Sequence, residues 1–460
     1  MWAPSPLGIS CPWPWLTPGG WRSSAAEPLV FRRREAPVIS IPFEEHCLEN
    51  GLRIVLSPEP SLPIVAVNLW YDVGSRNEGP GQTGLAHLFE HMMFQGSRHV
   101  GGNQHFELLE GVGGSANAST WFDRTNYYET LPSHHLELAL WLEADRMGWM
   151  LPALTAEKLE NQRDVVKNER RQRYDNQPYG DWDERMLAMV YPPGHPYRHP
   201  VIGSLEDIDG FTLGDLESFF RAYYAPDNAV LTLCGGFEAR RALEWIKHYF
   251  GDLPPGAGTR MIPGDAEAER ENHVDGGQTV EADVPLTRVY AGMRVPTFDD
   301  PAFYAADVAG DILGRGRASR LHRSLVLEHR LAKDVAAHVF PLMTGAAMMV
   351  VQATGNLGVD PGELAAAVVE QIEGLGAISS EEVARAVAMA ETAILGQLEV
   401  VAQRADLLSM FATQFGDPAR ISTEIDRLRA VTPEAVQTLV GERLGPGNRA
   451  ILTYVPRASA

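Results

Sequence analysis

Two stretches of this chain repeat one another at a fixed distance, and that duplication limits the folds open to it. FTLGDLESFFRAYYAPDNAVLTL (211–233) and VTPEAVQTLVGERLGPGNRAILTY (431–454) share Thr212/Thr432, Pro226/Pro446 and Asn228/Asn448, each pair 220 positions apart (432 − 212) without a gap. Each copy reads as a helix, a turn containing Pro and Asn, then a buried strand. LPIVAVNLWY and VPLTRVYAGMRV would likewise each open a domain with a core strand. A chain of 460 residues suits two domains of about 200 residues rather than one. The expected fold is therefore α+β: two homologous domains, each a mostly antiparallel sheet covered by helices. The segment LPPGAGTRMIPGDAEAERENHVDGGQ (253–278), rich in Pro, Gly and charge, marks the boundary. The expected organisation is an extension at 1–40, a first domain at 41–254, a linker at 255–278 and a second domain at 279–460.

Within the first domain, LENGLRIVLSPEPSLPIVAVNLWYDVGS reads as two strands around a Pro-rich turn, with alternation in Ile64–Leu69. GGSANASTWFDRTNYYETL reads as strand–turn–strand, and about 134–174 as a long helical region. Between them lies GLAHLFEHMMF. His87 and His91 are four residues apart, so on a helix their imidazoles share one face, close enough to grip one metal ion. Glu90 borders that face and is placed to act on water beside the metal without being a ligand. His87-Leu88-Phe89-Glu90-His91 is the inverted form of the His-Glu-x-x-His zinc motif. The bland alternative is an amphipathic helix that happens to carry two histidines. In the second domain the corresponding stretch, DVAGDILGRGRASRL, holds no histidine pair and cannot carry the same chemistry.

A catalytic zinc site usually takes three protein ligands and keeps one position for water. Glu169, in ENQRDVVKNERRQRYDNQPYG, is the best third candidate; Glu157, Glu160 and Asp164 compete with it on composition alone. Any of the four would by default belong to a solvated helix face.

Composition narrows the partners. A net charge of −21 argues against nucleic acid or an anionic membrane surface. Three cysteines, Cys11, Cys47 and Cys234, have neither paired nor metal-type spacing. The first twenty-one residues hold five prolines and four tryptophans, which prevents the continuous apolar helix of a signal peptide. A disordered extension, or a start codon assigned too far upstream, is the expectation for 1–40. No later run approaches the 18 apolar residues a membrane span needs, so the expected compartment is the cytoplasm.

The chain resembles the pitrilysin, insulysin and mitochondrial processing peptidase family of zinc endopeptidases. GxTGLAHLFEHMMFQGS, GGSANASTWFDRTNYY, VVKNERRQ, HPYRHPVIGSLEDI and YYAPDNAVL stand in that family's order, and the likeness runs from about Pro42 to Pro456. The resemblance implies that His87, His91 and Glu169 ligate one Zn2+ and that Glu90 is the catalytic base. It implies a processing-peptidase-like fold forming one half of a clamshell. It also implies that Asn117-Ala118 lies on a substrate-binding strand, where an exposed sheet edge pairs with an extended peptide; read alone, Asn117 is a turn residue. Where the family often has a further glutamate seven positions before the third ligand, this chain has Gln162, which can still hydrogen-bond.

In that family a second-copy domain commonly supplies an Arg and a Tyr, seven residues apart, that bind substrate and stabilise the oxyanion. Aligning SRLHRSLVLEHRLAKDV puts Val326 and Lys333 at those positions, so both groups are missing. The chain is also half as long as the family's single-chain members. The expectation is a zinc endopeptidase acting on extended or unfolded peptides inside a closed chamber, as a heterodimer with a homologous non-catalytic subunit that supplies the Arg–Tyr pair, or as a homodimer. The alternatives are a non-proteolytic scaffold subunit of the same fold and a zinc hydrolase for a non-peptide substrate.

Overall fold

The computed structural model describes residues 39–257, 260–263, 274 and 276–457. Apart from Ile39 and Ser40, the extension expected at 1–40 lies outside the described residues, as does part of the 255–278 linker. Among the described residues, strands β1 (Glu44–Cys47), β2 (Arg53–Pro58), β3 (Ile64–Tyr71), β4 (Ser115–Thr120), β5 (Thr125–Pro132) and β6 (Ala229–Gly235) form one sheet, in the order β1-β2-β6-β3-β5-β4. Strands β7 (Gly277–Ala282), β8 (Arg288–Val295), β9 (Ala332–Phe340), β10 (Ala347–Gly355) and β11 (Ala450–Pro456) form the second, in the order β7-β11-β8-β10-β9. With β1 set aside, the two orders coincide strand for strand. Each sheet has one parallel pair, β2–β6 and β7–β11, and is otherwise antiparallel. The fold is α+β with two homologous halves, as the repeat predicts.

Hydrogen bonds explain why those repeated residues were kept in both halves. Thr212 and Thr432 cap helices Leu213–Tyr223 and Pro433–Arg443, their hydroxyls accepting from Asp215 N at 3.3 Å and Ala435 N at 3.2 Å. Asn228 donates to Tyr223 O at 2.9 Å and Asp72 O at 3.2 Å, tying the helix end to the end of β3. Asn448 does the same to Arg443 O at 2.6 Å and Arg294 O at 2.8 Å, on β8.

One reading needs correction. Neither β3 nor β8 opens its half, since β2 and β7 precede them. The helical region expected at about 134–174 is present and divided: Leu136–Trp149 ends before a short turn at Leu151–Ala153, and a new helix, Ala156–Arg170, starts at the cap Thr155. Pro152 sits in that turn, with no N–H to continue the ladder and a ring that crowds the preceding turn.

The inner strands β2, β6 and β3 of the first sheet are buried on both faces. Val65, Val67, Leu69 and Tyr71 pack with Leu85, Leu88, Phe89 and Met92 of the helix Leu85–Met92. The alternate residues of β3 face a helix of the second half, Val401–Phe415, whose Ala405 and Leu408 join Ala66 in the other core. Polar groups also cross this interface. Asp406 Oδ1 accepts from Trp70 Nε1 at 2.8 Å and from Asn68 Nδ2 and Asn126 Nδ2 at 3.1 Å each. Ser409 Oγ donates to Thr232 Oγ1 at 2.8 Å. No helix among the described residues is long and apolar enough to cross a membrane.

Asp406→Ala would strand the buried donors of Trp70 and Asn68, while Asn126 Nδ2 keeps its 3.2 Å bond to Asn68 Oδ1, so a loss of about 2 kcal/mol or more is expected. Asp406→Asn keeps an acceptor oxygen and should cost less. Urea unfolding measures both; an alanine variant within about 0.5 kcal/mol of the parent would remove Asp406 as a tie between the halves.

Candidate metal centre

The helix Leu85–Met92 is eight residues long and starts without a capping side chain of its own. Gly84 precedes it at φ 92°, and a Cβ there would lie 2.7 Å from Ile202 O, so glycine is required twice over. Buried Glu78 supplies the missing acceptors: its Oε2 takes the Gly84 N–H at 2.8 Å and its Oε1 the Ala86 N–H at 2.7 Å. Thr83 is held from the other side, donating from N and Oγ1 to Asp207 Oδ2 at 2.9 and 2.6 Å. Phe89, fully buried, packs with tilted rings 4.4 Å from Tyr224 and 5.8 and 5.9 Å from Phe219 and Phe220. That cluster fixes the helix rotation, turning His87, Glu90 and His91 to the opposite face.

Glu169 comes to this face from near the end of the helix Ala156–Arg170. Its Oε2 lies 3.4 Å from His91 Nε2 and 3.8 Å from His87 Nε2. Ligand atoms of the three side chains all fall within 4.8 Å of one another. The rival carboxylates do not reach them: Glu157, Glu160 and Asp164 are exposed, and Glu160 pairs with Arg163. Two imidazoles and one carboxylate suit a three-ligand zinc site. The charge states of His87 and Glu169 suit it too. Burial, reinforced by neighbouring His91, lowers the His87 pKa to about 4, leaving a neutral imidazole able to donate its lone pair. Burial opposes ionisation of Glu169, but His91, His87 and Arg173 outweigh it and bring its pKa down to about 2. Burial also pulls His91 down, yet Glu169 and Glu90 prevail and its pKa is raised, with buried Gln162 acting in the same direction.

Glu90 borders the trio. Its Oε2 accepts from Thr120 Oγ1 at 2.6 Å, and burial raises its pKa despite that bond. Thr120 ends β4, the terminal strand of the first sheet. Asn117 and Ala118 lie on the same strand: Asn117 is exposed, not in a turn, and its Oδ1 accepts the Ala118 N–H at 2.9 Å. A cavity of about 270 Å³ opens beside His87 and Thr120, walled by Trp121, Tyr174, Trp182 and Phe340. Thr120, Glu78 and Arg173, whose Nη1 is 2.9 Å from Glu169 Oε1, escaped the sequence reading. Only Thr120 carried a hint there, three residues after Asn117 on a strand already suspected of binding substrate.

Val326 and Lys333 stand at the second-half positions aligned with the family's Arg and Tyr. Val326 is partly buried against the core in the π-helical stretch His322–Glu328, and Lys333 is exposed on β9.

A family model described as insulinase (peptidase family M16) matches residues 53–192, and one described as the peptidase M16 inactive domain matches residues 210–390. The zinc protease PqqE of Helicobacter pylori is 32% identical over 379 residues, covering 81% of this chain and 83% of that protein. The crystal structure of a protease from Helicobacter pylori superposes with a TM-score of 0.83 at 28% identity, over 90% of this chain and 99% of that one. A putative M16-like peptidase from Alicyclobacillus acidocaldarius shares the fold at TM-score 0.77 and 21% identity, over 91% and 100% of the two chains. The chain belongs to peptidase family M16, the insulinase family.

Because His91 must lose its proton to ligate, and its pKa is raised, metal affinity should weaken as pH falls through that pKa. The expected slope is about tenfold per pH unit for one competing proton. Competition titrations of zinc between pH 8 and 5.5 test this; a flat profile would rule out His91 as a ligand.

Proposed function

We propose that this chain is the metal-bearing subunit of a zinc-dependent endopeptidase that cuts extended or unfolded peptides. The observation that carries the reading is the convergence of His87, His91 and Glu169, with Glu90 beside them on a short bond to the end of an edge strand. Zinc held by those three donors would supply Lewis acidity, polarising a carbonyl and acidifying water toward a pKa of about 7.

The protein's own groups would do the rest. A peptide laid along β4 gains main-chain hydrogen bonds, and the aromatic cavity beside His87 accepts a large apolar side chain next to the scissile bond. Glu90, whose raised pKa brings it nearer neutrality, takes a proton from the attacking water and delivers it to the leaving amine. Thr120 keeps the Glu90 carboxylate facing the substrate strand. A non-catalytic scaffold of this fold would need none of these four side chains at the site. That is the reason to prefer the enzymatic reading, although the model matching residues 210–390 is described as inactive.

The missing Arg and Tyr point to a second chain. We infer that this protein forms half of a clamshell whose other half, a homologous non-catalytic subunit, contributes those donors; a homodimer is the alternative. Full peptidase activity from this chain purified alone as a homodimer would reject the need for a partner.

Glu90→Gln is expected to retain one equivalent of zinc and abolish peptide cleavage, as chelation of the parent should. Near-normal turnover by Glu90→Gln would sink the assignment. Thr120→Val should lower kcat by about 10- to 100-fold, part of the roughly 10²- to 10⁴-fold that a positioned acid–base group contributes, with KM little changed and Thr120→Ser restoring most of it. A purely structural role for Thr120 would instead show as lost stability without that split.

A further inference from the structure

We propose that Arg173 decides how many oxygens Glu169 offers, and so sets which metal ion the centre prefers. The inference rests on the metal-centre reading above and goes beyond it. The two oxygens of Glu169 keep different company. Oε2 faces the imidazoles, 3.4 and 3.8 Å from their Nε2 atoms, while Oε1 is 2.9 Å from Arg173 Nη1. A carboxylate can bind a cation through one oxygen or both. Larger, oxygen-preferring ions take both readily, whereas a three-ligand zinc site with two imidazoles needs one. With the guanidinium paired to Oε1, the donor set is held to two nitrogens and one oxygen.

The local backbone brings Arg173 to this position. It lies one turn after Glu169, within the π-helical stretch Arg171–Asp175 that continues the helix, and it also lines the cavity beside His87. π-Helical turns within helices gather at functional sites. The Arg173 side chain is 72% exposed, and Glu169, at 17%, is its ion-pair partner. An exposed ion pair alone contributes little to stability. Here the ion pair engages the outer oxygen of a ligand, where such contacts govern ligand orientation and metal affinity.

Charge and denticity can be separated. Removing the guanidinium favours every divalent cation by a similar electrostatic amount, which cancels in a ratio of affinities. Freeing Oε1 does not cancel, because it favours the ion that accepts two oxygens. The full chain, stripped with chelator, is titrated with Zn2+ and with Mn2+ in competition with an indicator, for the parent, Arg173→Met and Arg173→Lys. The expected result is a zinc-to-manganese affinity ratio about tenfold smaller in Arg173→Met, in line with losses seen when contacts behind a ligand are removed, and near the parent value in Arg173→Lys. A ratio in Arg173→Met within about threefold of the parent, with zinc still bound, would overturn this inference alone. A parent that binds neither ion would overturn it together with the reading of the site as a metal centre.

Discussion

Phe89 lies between His87 and Glu90 in sequence and points away from both, into an aromatic cluster with Phe219, Phe220 and Tyr224. The site depends on this division of one short helix into two faces. Eight residues would not hold a helix in water by themselves. Burying Leu85, Leu88, Phe89 and Met92 supplies the stability, and the rotation that burial enforces presents two imidazoles and a carboxylate together. Removing the Phe89 ring would cost about 3–5 kcal/mol by the usual scale for aromatic truncation in a core. It would also free the helix to turn, so packing and chemistry cannot be tuned separately here.

The duplicated half has taken on a different task. It keeps the strand order, the capping threonines and the asparagine ties, and it has lost the histidine pair. What it gives the first half is a wall. The helix Val401–Phe415 seals the back of the first sheet, and Asp406 gathers three donors from β3 and β5 onto one oxygen. β5 carries that restraint to its neighbour β4, and β4 ends in Thr120, which holds Glu90. The second repeat therefore steadies the face that carries Glu90 through the sheet it backs.

How much of this was legible in sequence follows from the range of each interaction. His87, Glu90 and His91 are four residues apart end to end, so helical geometry alone places them. The repeat was legible because its shared residues make local bonds: a cap three residues away, a helix end five residues back. Glu169 was ambiguous because 78 residues separate it from His91 (169 − 91), and nothing local distinguishes it from Glu157, Glu160 or Asp164. The resemblance to a family, not periodicity, singled it out. Thr120, Glu78, Asp406 and Arg173 act through tertiary contacts or an unusual helical turn, and their types alone suggest only a strand, a loop and helix surface. The break at Leu151–Thr155 was missed for a different reason: the helical periodicity on either side of Pro152 masked a proline that could have been read as a stop.

The edge strand brings these constraints together. A terminal strand with free main-chain groups invites pairing with any extended chain, and proteins usually blunt it. β4 is only six residues long, and Asn117 folds its own side chain back onto the Ala118 N–H. On the function proposed above, an arriving peptide would exchange that internal bond for an intermolecular one, a trade close to neutral in net hydrogen-bond energy. Main-chain pairing would then position the peptide with little selectivity. Discrimination would fall to the aromatic cavity beside His87, where burial of an apolar side chain contributes roughly 1.5–3 kcal/mol. A strand that any backbone can join, next to a cavity only some side chains can fill, favours extended substrates chosen by one residue rather than by a long recognition sequence.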